Sequence, residues 1–207
     1  NLDVIMGLEN RIVYHLVDII EGGCRIKQAL IRDKRYPNLF LLPSAQTRNK
    51  TSVSPEQMKK LIEQLRDDFD YILIDCMPSL GMMTINALAA ADRVIIPSQP
   101  SFLSTKGLNQ LMHSVAKVKR QINPRLNIDG ILLTMVDNRT NNAKAISTAL
   151  RAAVSDRVRV FDTQIPFSVR AAESAQEGQS IFAYDKGGKV AAAYEAVTKE
   201  VLELERK

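Results

Sequence analysis

Asp75 stands at the end of a short apolar run, Ile72-Leu73-Ile74, and is followed by Cys76-Met77-Pro78-Ser79-Leu80-Gly81. An apolar run of that length, with no polar position, reads as a strand covered on both faces. A carboxylate directly after such a strand is penalised by desolvation unless a cation or strong donors compensate it. Hydrated Mg²⁺ beside a polyphosphate would supply that compensation. Asp75 would then be the catalytic-site acid that holds a metal-bound water, and Pro78, Ser79 and Gly81 would form a stiff turn near the terminal phosphate. The simpler alternative is that Asp75 caps the helix that follows.

The second set of chemical groups is basic. Between Ser104 and Arg170 there are 11 Lys/Arg and 4 Asp/Glu, whereas the rest of the chain holds 17 and 19. The net charge of +5 is therefore a local excess set against a slight acidic balance elsewhere. That asymmetry points to a polyanion, nucleic acid before membrane, with Lys117, Lys119, Arg120, Arg139 and Arg170 as phosphate-contact candidates. Lys and Arg on a solvated helical surface are the competing reading. His15 and His113 lie on helical stretches without a partner motif, and the seven Met residues are mostly core-spaced. Neither set carries chemistry.

The elements that must position these groups follow from periodicity. Asn38–Leu42 reads as a buried strand ended by Pro43, and Ser54-Pro55-Glu56-Gln57 as a helix start with a capping box and a first-turn proline. Met58, Leu61, Ile62, Leu65 and Phe69 then fall on one helical face. Tyr71–Ile74, Arg93–Pro97, Gly130–Val136 and a stretch near Val158–Ile165 read as further strands. Leu108–Ile122 and Val190–Leu204 read as amphipathic helices. Strand and helix alternating in this rhythm predict an α/β fold, a doubly wound, mostly parallel sheet flanked by helices, in one domain spanning residues 1–207. Ligands of such sheets sit beyond the carboxyl ends of the strands.

Composition excludes several classes. With 45% apolar and 25% charged residues the chain is neither disordered nor fibrous, and no apolar run is long enough to span a bilayer. Cys24 and Cys76 stand far apart with no metal-ligand spacing around them, which fits reduced thiols in a cytosol.

Phe69–Gly81, continuing through Thr84-Ile85-Asn86-Ala87-Leu88-Ala89-Ala90-Ala91-Asp92, resembles the Walker B and switch II segment of the ParA/Soj partition ATPases. Gly130–Asn141 and Ile165–Glu173 resemble the same family. Asn1–Arg11 and Leu41–Arg48 are more similar to MinD, the division-site ATPase of the same superfamily. The chain thus resembles MinD up to about residue 58 and ParA afterwards, within the deviant Walker, SIMIBI-type P-loop NTPases. The resemblance implies ATP and Mg²⁺ as cofactors, with Asp75 on the metal side. It also implies an adenine pocket built from Met135, Asp137, Asn138, Pro166, Phe167 and Ser168.

One departure from the family matters. None of the nine glycines stands in a Gly-x-x-x-x-Gly-Lys-Ser/Thr loop; in the nearest echo, Gly187-Gly188-Lys189, Val190 replaces the hydroxyl and Ala183 the first glycine. By resemblance, the first strand, the P-loop, the first helix and the second strand belong upstream of the residue matching Asn1, so a truncated domain is expected. The resemblance further implies an ATP-dependent homodimer that binds DNA non-specifically, a ParB-like stimulating protein, and a nucleoid-associated place in the cytoplasm. The alternative is a MinD-like regulator with MinC- or MinE-like partners at the membrane. The run Glu200–Lys207, with three acids and no aromatic residue, opposes binding to anionic lipid. A third possibility is a non-enzymatic remnant that keeps the fold as a binding module.

Overall fold

The computed structural model describes residues 2–44, 53–77, 81–137, 139, 141–154 and 157–206, with the backbone alone at 102–106 and 141–143. The chain forms two compact units, Asn1–Ala91 and Asp92–Lys207.

The first unit holds α1 (Leu2–Ile5), α2 (Leu16–Ile20), α3 (Ile26–Ala29), the short antiparallel pair β1 (Ile31–Arg32) and β2 (Phe40–Leu41), α4 (Pro55–Leu65) and α5 (Met82–Ala90). α4 starts where the capping box places it. Ser54 Oγ accepts from the Gln57 amide at 3.2 Å, and Gln57 Oε1 accepts from the Ser54 amide at 2.8 Å. Its apolar face, Met58, Leu61, Ile62 and Leu65, is buried with Leu16, Val17, Val53 and Ala90. Asn86 on α5 is fully buried and donates its side-chain amide to the Val53 carbonyl at 2.6 Å. The turn between β1 and β2 is tied by Asp33, a buried carboxylate that accepts from the Arg35 amide and guanidinium and from the Tyr36 amide. Hydrogen bonds from Arg35 hold it below the usual carboxylate range.

Tyr71–Ile74 departs from the expectation of a strand buried on both faces. It is extended but joins no ladder among the described residues. Ile72 and Ile74 pack on the α4/α5 core, whereas Leu73 is 93% exposed and Tyr71 is exposed as well. One face packs on the helices, and among the described residues no neighbouring strand covers the other.

The second unit carries β3 (Arg93–Ser98), α6 (Phe102–Gln121), β4 (Asn127–Leu133), α7 (Asn141–Val154), α8 (Val169–Gln176), α9 (Ile181–Tyr184) and α10 (Lys189–Glu205). β3 and β4 are parallel, paired from Arg93↔Asn127 to Ser98↔Leu133, with a one-residue register shift at Val94/Ile95 that leaves Asp129 between Ile128 and Gly130. Alternation along β4 sorts its side chains onto two covered faces. Ile131 and Leu133 join Ile96, Leu108, Leu150 and Val154, which brings in α6 and α7. Leu132 points the other way, to Phe161, Ile165 and the α10 residues Val190 and Val197. At the amino end, Arg93 donates to the buried Asp129 carboxylate at 2.9 Å.

The expected strand near Val158–Ile165 is reduced to two isolated parallel bridges, Ile131↔Val160 and Val136↔Pro166. The reason is a competing acceptor. Glu200 on α10 takes the Asp162 and Thr163 amides at 3.1 and 2.8 Å and the Arg159 guanidinium at 2.8 Å, so those two amides do not extend the ladder. Burial pushes the Glu200 carboxyl upward, but these donors outweigh it and hold it below the usual range.

Gly130 has φ +154°, and a Cβ there would stand 2.9 Å from the Arg159 carbonyl oxygen and 3.1 Å from the Phe161 ring. This close approach lets the Ile131 amide donate to Arg159 O at 2.9 Å and the Phe161 amide donate to Ile131 O at 3.0 Å. Gly130→Ala should therefore lower unfolding free energy by about 2 kcal/mol in denaturant titration. A loss below about 0.5 kcal/mol would mean that the two segments separate freely.

Candidate functional site

The carboxyl end of the second unit's sheet is built by backbone hydrogen bonds that continue past the ladder. The Thr134 amide donates to Ser98 O at 2.9 Å, and the Ile165 amide to Leu133 O at 2.9 Å. The Val136 amide then donates to Ile165 O and the Phe167 amide to Val136 O, both at 3.1 Å. Buried Val136 and Ile165 anchor this zipper. It delivers Gln99, Met135, Asp137, Pro166, Phe167 and Ser168 to one end of the sheet. Met135 and Phe167 present apolar side chains to solvent, 59% and 55% exposed. Five of the six residues expected to surround adenine are thus brought together. The sixth, Asn138, lies outside the described residues.

Asp137 and Arg139 form a local fork. Asp137 Oδ1 accepts from the Arg139 amide at 3.1 Å and Nε at 2.8 Å, and Oδ2 accepts from Nη2 at 2.9 Å. Hydrogen bonds from the Arg139 side chain and amide hold the Asp137 carboxyl down at about 2. Arg139 therefore spends its charge locally. Arg170, on the first turn of α8, stands 3.8 Å from Asp185.

The other basic candidates lie at the opposite end of the sheet. Lys117, Lys119 and Arg120 are exposed on the last turns of α6, and Lys119 Nζ donates to Asn127 Oδ1, at the start of β4, at 3.1 Å. The six-residue β3 ladder, about 20 Å long, runs between the two ends. The five cations are therefore two groups, with Arg139 and Arg170 on the side of the converging loops. Arg151 is engaged as well, donating to the Phe161 carbonyl at 2.8 Å.

Asp75 and Gly81 belong to the first unit, while Pro78 and Ser79 lie outside the described residues. Asp75 is exposed, in contrast to the buried strand end expected, because the outer face of Tyr71–Ile74 is open. Its carboxylate is available to water and to a hydrated cation. Desolvation and the Asp75 charge push the adjacent Cys76 thiol up, so it is a poor nucleophile near neutral pH. Gly81 is the N-cap of α5. Among the described residues no cluster of three or more His, Cys, Asp or Glu is placed to hold a metal by itself. Gly187-Gly188-Lys189 is a helix start: the Asp185 carboxylate fills the space that a Cβ on Gly188 would need, and it places negative charge where a phosphate would have to sit. Asp75 is an exposed carboxylate of the kind a hydrated Mg²⁺ accepts, exposed Met135 and Phe167 are apolar surfaces of the kind a base can meet, and none of the described loops cradles phosphates.

A family model described as an AAA domain matches residues 1–128. The chain is 40% identical to the septum site-determining protein MinD of Bacillus subtilis over 139 residues, 67% of this chain and 52% of that protein. It is 32% identical to the chromosome partitioning protein ParA of Caulobacter vibrioides over 200 residues, 92% of this chain and 74% of that protein. The chain belongs to the ParA/MinD superfamily of deviant Walker ATPases. The match thus spans about half the length of the Bacillus MinD. Among solved structures, MinD of Pyrococcus horikoshii, complexed with Mg-ADP, superposes with a TM-score of 0.78 at 21% identity, covering 99% of this chain and 79% of that one. The fold is thereby the α/β fold of the MinD-type P-loop NTPases, with helices on both faces of a parallel sheet.

Gln99 is the member of the converging set that residue types alone do not reveal. Its only signal is its place directly after an apolar strand, in Ser98-Gln99-Pro100. Because the folded carboxyl lies near 2, the Asp137–Arg139 fork is intact above the ordinary aspartate value of 3.8 and opens only as pH falls through about 2. In carboxyl-carbon NMR, Asp137 should titrate near 2, and Arg139→Ala should return it toward 3.8. A wild-type midpoint already at 3.8 would contradict the fork.

Proposed function

We propose that the chain is the switch-bearing part of a ParA-like Mg²⁺-ATPase that positions DNA, with nucleotide and polyanion taken at opposite ends of one sheet. The observation that carries this reading is the separation itself. Exposed Met135 and Phe167 stand at the carboxyl end, while Lys117, Lys119 and Arg120 stand on α6 at the amino end. The structure of the Pyrococcus protein with Mg-ADP supports a nucleotide as the ligand.

In this reading both units are parts of one ATPase domain. Asp75 holds a Mg²⁺-bound water, Pro78, Ser79 and Gly81 respond to the terminal phosphate, and Met135, Asp137, Asn138, Pro166, Phe167 and Ser168 surround the base. When bound, Mg²⁺ would polarise the phosphates and neutralise charge developing on them. The chain's own residues orient that ion's water and shield the base. The domain works as a nucleotide-switched homodimer, released by a ParB-like stimulating protein, because γ-phosphate contacts can select one arrangement of the switch segment.

The 40% identity to Bacillus MinD favours a second reading, a MinD-like regulator of division-site placement. Sedimentation with anionic liposomes and Mg·ATP separates the two: the chain stays in the supernatant in the first reading and pellets in the second. No helix among the described residues is long and apolar enough to cross a membrane, so pelleting would have to come from surface attachment.

DNA binding by phosphate contacts releases counterions, so affinity should fall steeply with salt. Lys117→Ala/Lys119→Ala/Arg120→Ala should reduce the slope of log affinity against log salt by about three. The check is fluorescence anisotropy with random-sequence duplex DNA. A salt-independent affinity, or a slope untouched by the triple change, would defeat the DNA reading.

A further inference from the structure

Met135 is the only non-glycine residue with positive φ among the described residues, at 53°. That left-handed conformation brings the Cβ of an L-residue against its own carbonyl and persists only when its surroundings impose it. A methionine gains nothing locally from it, whereas glycine would adopt it freely. The zipper accounts for one side. Val136, the next residue, is tied through both its amide and its carbonyl to the 165–167 segment.

On the other side the Thr134 amide is bonded to Ser98 O at 2.9 Å, and a side-chain contact to Met135 itself is added to that tie. Gln99 Nε2 donates to the Met135 thioether sulfur at 3.1 Å. Gln99 is itself held in place, because Ser98 is buried with its carbonyl bonded to the Thr134 amide, and the Gln99 carbonyl accepts from the Ser101 amide at 2.8 Å. The carboxamide therefore reaches Met135 from a fixed point one strand away. Its effect is to keep a polarizable thioether exposed at the end of β4, on the segment that is bonded to exposed Phe167. Thioether sulfur adapts well to an aromatic ring.

We propose that Gln99 is a positioning residue for the nucleotide base: it holds Met135 in its left-handed conformation so that the thioether and Phe167 form the apolar side of the base pocket. This rests on the nucleotide reading above, and it adds a residue that touches neither base nor phosphate in that reading.

A double-mutant cycle read by titration calorimetry with Mg·ATP tests it. Gln99→Ala should weaken binding about five-fold when Met135 is present, the population cost of releasing a left-handed L-residue. In the Met135→Gly background, where the backbone needs no support, Gln99→Ala should change affinity by less than about two-fold. Gln99→Leu keeps the bulk without the donor and should reproduce Gln99→Ala, which guards against a packing or folding effect of the smaller side chain. Wild-type affinity in both Gln99 variants, or an equal loss in both backgrounds, would overturn the positioning role. A wild-type chain with no Mg·ATP affinity would instead overturn the nucleotide reading on which the proposal stands.

Discussion

The parallel β3·β4 ladder is the constraint on which the second unit depends. It commits Arg93 and Asn127 to one end and Ser98 and Leu133 to the other, and the amide bonds beyond it carry that order into three loops. Both faces of β4 are buried, so its register cannot slip without exposing Ile131 and Leu133 or Leu132. α6 is the crossover that parallel pairing requires, and its 20 residues deliver a basic last turn to the amino end. Separation of an apolar, base-sized surface from a cationic one is therefore a consequence of strand direction. No long-range charge arrangement is needed to explain it.

Two acidic side chains shape how this end of the molecule is used. Glu200 takes the Asp162 and Thr163 amides, so the pairing of this segment with β4 is interrupted between the bonds at Arg159 and Phe161 and the one at Ile165. Asp137 pairs with Arg139, whose side chain stays largely exposed. In each case a carboxylate gathers several donors, backbone amides in one and a guanidinium in the other.

Local signals were legible where the physics is local. The Ser54/Gln57 capping box, the first-turn proline and the apolar spacing place α4 correctly; the strand read at Arg93–Pro97 is β3 to within one residue, whereas the one read at Gly130–Val136 begins and ends three residues earlier, at Asn127 and Leu133. Tyr71–Ile74 was read as covered on both faces because its residues are apolar throughout, yet only Ile72 and Ile74 find a partner surface. Apolar composition states what a strand tolerates, and coverage depends on neighbours that composition does not name. The convergence of Met135, Asp137, Pro166, Phe167 and Ser168 followed from family likeness. The left-handed Met135 and its tie to Gln99 arise from a contact between residues 36 positions apart, beyond any local pattern.

The account turns on a nucleotide base meeting the carboxyl end of this sheet. The most direct test is methyl-carbon NMR of the methionines during addition of Mg·ATP. Met135, exposed at that end, should shift in a saturable way, while Met58, buried in the α4 core, should stay in place. Saturable binding that leaves the Met135 methyl unmoved would contradict the account, because the base would then be held somewhere else.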